Sequence, residues 1–357
     1  MARSLKVLLL IPHLGGGGAE QVTALLARGL SREKYELHLG LVTQPDAGAA
    51  GLPPWVAVHP LGAPRVRAAA FKLLRLVRGL RPDVILSGMA HLNFLVLLLR
   101  PFFPRGTRVL VRQNATVSAA LAFGGLPRST GLLYRLLYRH ADRVICQSRA
   151  MAVDLAVELG IGSELISVLP NPVDLEGIRS ARACSEWWTG SGPHLLAVGR
   201  LAPEKGFDLL LRAFAEVRQD FPHADLLIAG AGPEESVLKA QCRTLGLETA
   251  VRFAGRVNCP YDFFPGASLF VLSSRHEGMP NALLEAAGAG LPIVALPASG
   301  GVVDLLRGSP GAWLAREVSA DALSASLGEA LMVLRPGQRF HHPFCSARGP
   351  VNATPVL

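Results

Sequence analysis

The chain has 357 residues, half of them hydrophobic and few aromatic, with 36 Lys+Arg against 27 Asp+Glu. That length suits two domains of ordinary size with cores of Val, Leu, Ile and Ala, and it excludes a disordered or collagen-like chain. The five cysteines (Cys146, Cys184, Cys242, Cys259 and Cys345) form no CxxC pair, which argues against a disulfide framework or zinc knuckle and for a reducing compartment. Along the chain, short apolar runs alternate with helical patterns. Strands are expected at 6–11, 37–43, 84–87, 108–111, 143–146 and 167–169, with helices at 19–30, 69–80, 130–140 and 151–159 among them. The pattern pauses in a stretch rich in Pro, Gly, Ser and charge. It resumes with strands at 195–198, 225–229, 251–254, 269–273 and 293–296, and ends in helical character over 320–334.

This βα alternation predicts parallel sheets covered by helices on both faces. The expected organisation is an N-terminal Rossmann-like domain over 1–170, a linker over 171–193 and a second Rossmann-like domain over 194–334. Residues 335–357 carry four prolines and no periodicity, and read as an unstructured tail. Ligands in such folds bind outside the carboxyl ends of the strands, so a cleft between two facing domains is the expected active site. The apolar run at 5–10 meets Pro12 and a glycine cluster, which reads as a buried strand and not a secretory signal. The run at 92–99 is too short to span a bilayer. A cytoplasmic protein, soluble or peripheral on the inner face of a membrane, is expected.

The charge is uneven. Residues 1–180 carry 21 Lys+Arg and 11 Asp+Glu, whereas residues 181–357 carry 15 and 16. Such asymmetry points to an anionic partner for the first half. Residues 65–81, RVRAAAFKLLRLVRGLR, pattern as a basic helix that either lies on an anionic membrane surface or covers the sheet with a solvated basic face.

Three stretches carry chemistry. In 268–301 a buried strand ends at Ser273–Ser274, a turn carries His276-Glu277-Gly278, and Pro280 opens a helix containing Glu285. Pro is suited to a helix's first turn, whose unused N–H groups favour anions. Two acids alone also fit solvated helix charges; the strand–turn–helix frame favours contact with one elongated ligand. In 195–214 a strand delivers Gly199-Arg200 to a loop, and Lys205-Gly206 opens a helix. Arg and Lys at a sheet's carboxyl edge suit a diphosphate clamp. In 14–21, LGGGGAEQ, glycines after the first strand allow close approach of a phosphate. The stretch is neither GxGxxG, because Glu20 interrupts it, nor a GK[ST] loop, which disfavours a dinucleotide enzyme. Nucleic-acid binding has only net charge behind it, and no nucleic-acid partner is expected.

Together these stretches resemble the family 4 glycosyltransferases of the GT-B fold. The resemblance rests on GGAE at 17–20, PNPVD at 170–174, GRL-x-x-EKG-x-D at 199–208, G-x-GPE at 230–234, and the E-x7-E motif from Glu277 to Glu285. It covers roughly residues 5–330, and the HEGMPNALLEA wording is most similar to enzymes that build bacterial surface polysaccharides and glycolipids. The resemblance implies a retaining transferase of the hexosyl or N-acetylhexosaminyl class. Its donor would be a nucleotide sugar, with UDP favoured, and its acceptor lipid-linked or a saccharide. It implies that Arg200 and Lys205 bind the donor diphosphate, beside Gly199. Glu277 would contact donor-sugar hydroxyls near Gly278, Met279 and Asn281, Glu285 would hold the ribose, and Gly17 and Gly18 would face the phosphates or acceptor. No cofactor or metal is implied, and the sequence has no DxD. On the acceptor side, Gln113, followed by Asn114, stands where many relatives carry a histidine; His91 is the nearest substitute by sequence, and Glu20 belongs to the glycine loop. That departure, with the atypical tail, keeps two alternatives open: an inactive GT-B binding or scaffold protein, and a sugar-nucleotide epimerase.

Overall fold

The computed structural model describes residues 3–15, 17–45, 51–118, 121, 129–188, 191–257 and 259–346. The chain divides into two units between Pro172 and Val173. In the first unit, β1 (Leu5–Ile11), β2 (Tyr35–Leu41), β3 (Ala57–Pro60), β4 (Val84–Gly88), β5 (Arg108–Arg112), β6 (Arg143–Cys146) and β7 (Ile166–Val168) form a sheet in the order β3-β2-β1-β4-β5-β6-β7. Every pairing in it is parallel. The period-2 alternation of β1 explains its place at the centre: Leu8 and Leu10 enter one hydrophobic core, and Val7, Leu9 and Ile11 enter the other. One face is covered by α2 (Ala70–Leu80), α3 (Ala90–Leu99), α4 (Ser129–Tyr138) and α5 (Arg149–Leu159), and the opposite face by α1 (Gly18–Gly29).

In the second unit, β8 (His194–Val198), β9 (Asp225–Ala229), β10 (Val251–Gly255), β11 (Leu269–Leu272), β12 (Ile293–Ala295) and β13 (Ala312–Leu314) pair in the order β10-β9-β8-β11-β12-β13, again all parallel. Among its helices are α6 (Leu175–Arg179), α7 (Phe207–Asp220), α8 (Glu235–Thr244), α9 (Asn281–Gly288), α10 (Gly300–Leu306) and α11 (Ala320–Val333). Serine hydroxyls cap three of the helices that follow a strand: Ser148 accepts from Met151 N–H, Ser299 from Val302 and Ser319 from Ala322. Among the described residues no helix is long and apolar enough to cross a membrane.

Two expected boundaries differ. The segment 171–193 is not an extended linker from Val173 onward: Val173, Ile178, Trp187 and Trp188 join the apolar core of the second unit, and the Asp174 side chain caps α6. The expected tail over 335–357 is packed as far as Ser346, and the rest lies outside the described residues. There Phe340 N–H donates to Gly290 O at 2.8 Å, Arg339 donates to the carbonyls of Phe264 and Pro265, and α12 (Pro343–Ser346) buries Cys345. Isolated apolar and aromatic anchors hold this strap, so it shows no periodicity.

His342 sits beneath the strap, 2% exposed, with Nε2 donating to Leu291 O at 2.8 Å. Burial, outweighing that hydrogen bond, lowers its pKa below the ordinary 6.5, so the folded imidazole stays neutral where an unfolded one takes up a proton. Stability is therefore expected to be full above about pH 6.5 and to fall as pH drops through that value. His59 and His91, also lowered mainly by burial, add in the same direction. Melting temperatures measured from pH 8 to 5 check this, and His342→Asn should flatten the slope; an unchanged slope contradicts the assignment.

Candidate active site on the two sheet switch points

In each sheet the strand order reverses once, and ligands of open α/β sheets bind at the carboxyl ends beside such a reversal. In the second unit the reversal lies between β8 and β11, so the loop after β8 meets the loop after β11. The first of these loops is pinned by β9. Gly199 N–H donates to Ala229 O, Leu201 N–H to Ala231 O, and Glu234 N–H to Leu201 O. This accounts for the G-x-GPE motif: a Cβ on Gly230, whose φ is +151°, would strike Gly199 O, and one on Gly232 would strike Leu201 O. Only a glycine pair lets the two backbones pass this closely.

A single 3₁₀ turn, Pro203–Lys205, follows and ends at Gly206 (φ +62°), where a Cβ would strike Ser273 O. Lys205 is thereby set against the end of β11. Its Nζ donates to Glu277 Oε1 at 2.5 Å, and Ser274 Oγ donates to the same oxygen at 2.7 Å. The Lys205 side chain is 26% exposed and that of Glu277 only 10%, so the pair is fixed but reachable. Ser273 Oγ donates to Lys205 O at 2.9 Å.

Arg275 is a second tie. It donates bidentately to Asp208, both bonds at 2.7 Å, and Nη1 also donates to Pro203 O. Its backbone N–H donates to Glu204 O. The Asp208 hydrogen bonds hold the Arg275 guanidinium above its ordinary pKa. Arg200 is more loosely placed: 67% exposed, it pairs with Glu204 one turn on, at 2.9 Å. Burial pushes the Glu204 carboxyl up, but hydrogen bonds from its own backbone and from Arg200 outweigh this and hold it below the usual range.

The turn after β11 is anchored to the next connection: Glu277 N–H donates to Ala298 O, and Ser299 Oγ to Gly278 O. Helix α9 begins at Asn281 with Pro280 at its cap, one residue later than expected. Met279 is buried. Glu285 is 5% exposed and accepts from Tyr261 OH at 3.4 Å. The structure therefore brings Gly199, Arg200, Lys205, Glu277, Gly278, Met279, Asn281 and Glu285 onto one edge of one unit. Sequence reasoning missed the two serines, Arg275 and Tyr261 as supports; a basic residue directly after a strand end was the available signal for Arg275.

The first sheet reverses between β1 and β4. Here the glycine loop and the start of α3 meet. Gly17 caps α1, and a Cβ on it would strike the Glu20 carboxylate, so the glycine makes room for Glu20 to fold back over the loop. Gly18 is the first helical residue. His13, unmarked in the sequence, comes within 3.5 Å of Glu20 while its Nδ1 accepts from Gly15 N–H. That nitrogen's lone pair is thus turned to Gly15 and not a donor to Glu20. His91 follows Met89, which holds the left-handed φ of +93°. The His91 pKa is lowered first by burial and then by the charge of His13, which places the two rings in one neighbourhood.

Gln113 and Asn114 do not join that group through their side chains. Gln113 is 3% exposed, donating to Ala115 O and accepting from Tyr138 OH at 2.9 Å; Asn93 in turn donates to Tyr138 OH and to Arg112 O. Asn114 accepts from Gln147. Arg112 is buried against Asn171, and burial lowers its pKa to about 10. Gln113, the position at which the resemblance looks for a histidine, lies within a buried polar network.

The sequence profile described as Glycosyltransferase Family 4 matches residues 16–176, and that described as Glycosyl transferases group 1 matches residues 192–332. The N-acetylgalactosamine-N,N'-diacetylbacillosaminyl-diphospho-undecaprenol 4-alpha-N-acetylgalactosaminyltransferase of Campylobacter jejuni is 29% identical over 314 residues, covering 84% of this chain and 83% of its own. The amylovoran biosynthesis glycosyltransferase AmsD of Erwinia amylovora is 23% identical over 310 residues, 85% of this chain and 84% of its own. Among solved structures, Anabaena HepE in complex with UDP and glucose superposes with a TM-score of 0.76 at 19% identity, covering 96% of this chain and 95% of its own, a likeness of fold. The two profiles together span most of the chain, and the protein belongs to the family 4 glycosyltransferases of the GT-B fold.

Proposed function

We propose that the protein transfers a sugar, with retention of anomeric configuration, from a UDP-sugar to a lipid-linked or saccharide acceptor in cell-surface polysaccharide or glycolipid synthesis. The observation that carries this is the Lys205–Glu277 pair at the switch of the second sheet. Lys205 has three N–H donors, and Glu277 engages one. The other two are available to phosphate oxygens, placing positive charge where the leaving diphosphate gains negative charge. Arg200, on its flexible side chain, closes on the same group. Glu277 is held by Ser274 as well as Lys205 and presents an acceptor to sugar hydroxyls. Glu285, beside Tyr261, holds the ribose. This reading needs no metal or cofactor, because the cationic side chains supply the charge.

Two relatives support the finer points. The Campylobacter enzyme's name specifies a diphospho-undecaprenol acceptor and an alpha linkage, and HepE was crystallised with UDP and glucose. A lipid-linked acceptor places the enzyme at the cytoplasmic face of a membrane, against anionic lipid. In the first unit, His13, Glu20 and His91 lie with Gly17 and Gly18 at that sheet's own switch point. A thermal-shift screen of the purified protein against UDP- and GDP-sugars tests the donor: UDP-sugars should raise the melting temperature, adding about 2.7 kcal/mol of stability at a hundredfold excess over Kd. A response to GDP-sugars alone overturns the donor, and a response to neither overturns the site.

A further inference from the structure

The positive charge of the chain has an address. Residues 61–141 hold 13 Lys+Arg and a single acid, Asp83. Asp83 is occupied at the start of β4, accepting from Arg3 at 3.0 Å and from Lys6 N–H at 2.8 Å. The expected amphipathic helix forms as α2, but its apolar side, Leu73 and Val77, is fully buried in the core. What faces outward is Arg67, Phe71, Lys72, Arg75 and Arg78, all exposed. None of these four cations meets a carboxylate among the described residues; Lys72 and Arg78 donate instead to the carbonyls of Gly62 and Phe102.

Large apolar side chains lie among these charges. Phe71 is 76% exposed on α2, Leu98 is 61% exposed near the end of α3, and Phe102, whose carbonyl Arg78 holds, is 55% exposed. Leu132 and Leu136 are exposed on α4, which packs beside α3. Isolated exposed apolar residues are ordinary, but several on three neighbouring helices that carry no acid are not. A protein partner would need an acidic, apolar surface of matching shape. An anionic bilayer needs no shape match: headgroups take the cations, and the interfacial zone takes aromatic and leucine side chains.

We infer that the outer face of α2, with Phe102 and Leu98 beside it, is the surface on which this protein docks to an anionic lipid bilayer. The inference rests on the lipid-linked acceptor reading and assigns its membrane contact to named side chains. The face includes none of the residues of the candidate site.

The test is co-sedimentation of the full chain with phosphatidylcholine vesicles, with and without phosphatidylglycerol. The protein should partition onto the anionic vesicles, leave them as salt is raised, and ignore the neutral ones. The triple variant Lys72→Glu, Arg75→Glu, Arg78→Glu should lose partitioning by at least roughly 100-fold, at about fivefold per basic residue. Phe71→Ser should lose roughly tenfold. Both variants should keep the wild-type melting temperature and donor thermal shift. Wild-type protein that stays off anionic vesicles, or variants that bind as wild type does, overturn the assignment. So does a wild-type dimer dispersed by Phe71→Ser, which makes a second copy the partner. Donor binding and vesicle-free transfer to a short-chain acceptor report separately: if they persist while vesicle binding fails, only the surface is wrong; if they fail, the transferase reading falls.

Discussion

Lys205→Ala should lower kcat with a UDP-sugar by roughly 10²–10³-fold, the scale on which one well-placed donor to developing negative charge acts. Stability should fall far less, by about 1 kcal/mol, because the Lys205–Glu277 pair reaches solvent and is screened. The substitution has a second consequence: it leaves the Glu277 carboxylate, which is 10% exposed, with Ser274 and no cation at its side. The double variant Lys205→Ala, Glu277→Gln separates the two effects. If Lys205 served only to neutralise Glu277, removing that charge would restore turnover. If Lys205 meets the leaving diphosphate, the double variant stays as slow as the single one. Steady-state kinetics with each variant, alongside melting curves, decide this, and unchanged turnover in Lys205→Ala removes it from the clamp.

A comparable loss should come from a residue that touches no ligand. Gly230→Ala adds a methyl group where Gly199 O already sits, on a backbone whose φ of +151° side chains rarely adopt. The carbonyl is backbone and cannot swing aside, so the loop from Gly199 to Lys205 must move. A displacement near 1 Å costs about 100-fold in rate, and a strained backbone of this kind costs roughly 1–3 kcal/mol of stability. Gly246→Ala is the control. It also has a left-handed φ, +67°, but nothing lies within 4 Å of its Cβ. It should lose stability through strain alone and keep its turnover. Equal activity losses in the two variants contradict the loop-displacement account.

Much of the fold was legible because parallel strands buried on both faces read as uninterrupted Val/Ile/Leu runs, and those of β1, β8 and β11 stand out unaided. The strands β3 and β13 did not, being only three or four residues long and incompletely buried. Helix α3 was hidden for the opposite reason: AHLNFLVLLL is apolar on nearly every side and has no polar face to mark a period. Lys205, Glu277 and Arg200 drew notice because each lies in the loop that follows a strand. Sequence spacing did not say which strand ends meet. That information lies in the pairing of β8 with β11 and of β1 with β4, which is set by contacts far apart in the chain. For the same reason the sequence did not mark His13 or the burial of Gln113: their surroundings depend on Glu20 and Tyr138, which other elements bring to them.

The strap across the second unit bears on how the protein is made. His342 reaches back 51 residues to the Leu291 carbonyl, and Arg339 reaches back 75 to Phe264. At elongation rates of about 5–20 residues per second, the groove at the foot of β12 waits roughly 3–10 s for its cover. During that interval the first unit is already complete and can fold on the ribosome, while the second exposes the apolar lining that Cys345 later closes. The two halves of this enzyme therefore mature on different clocks. The late half is the one that a translation pause near residue 335 would leave open to chaperones or proteases.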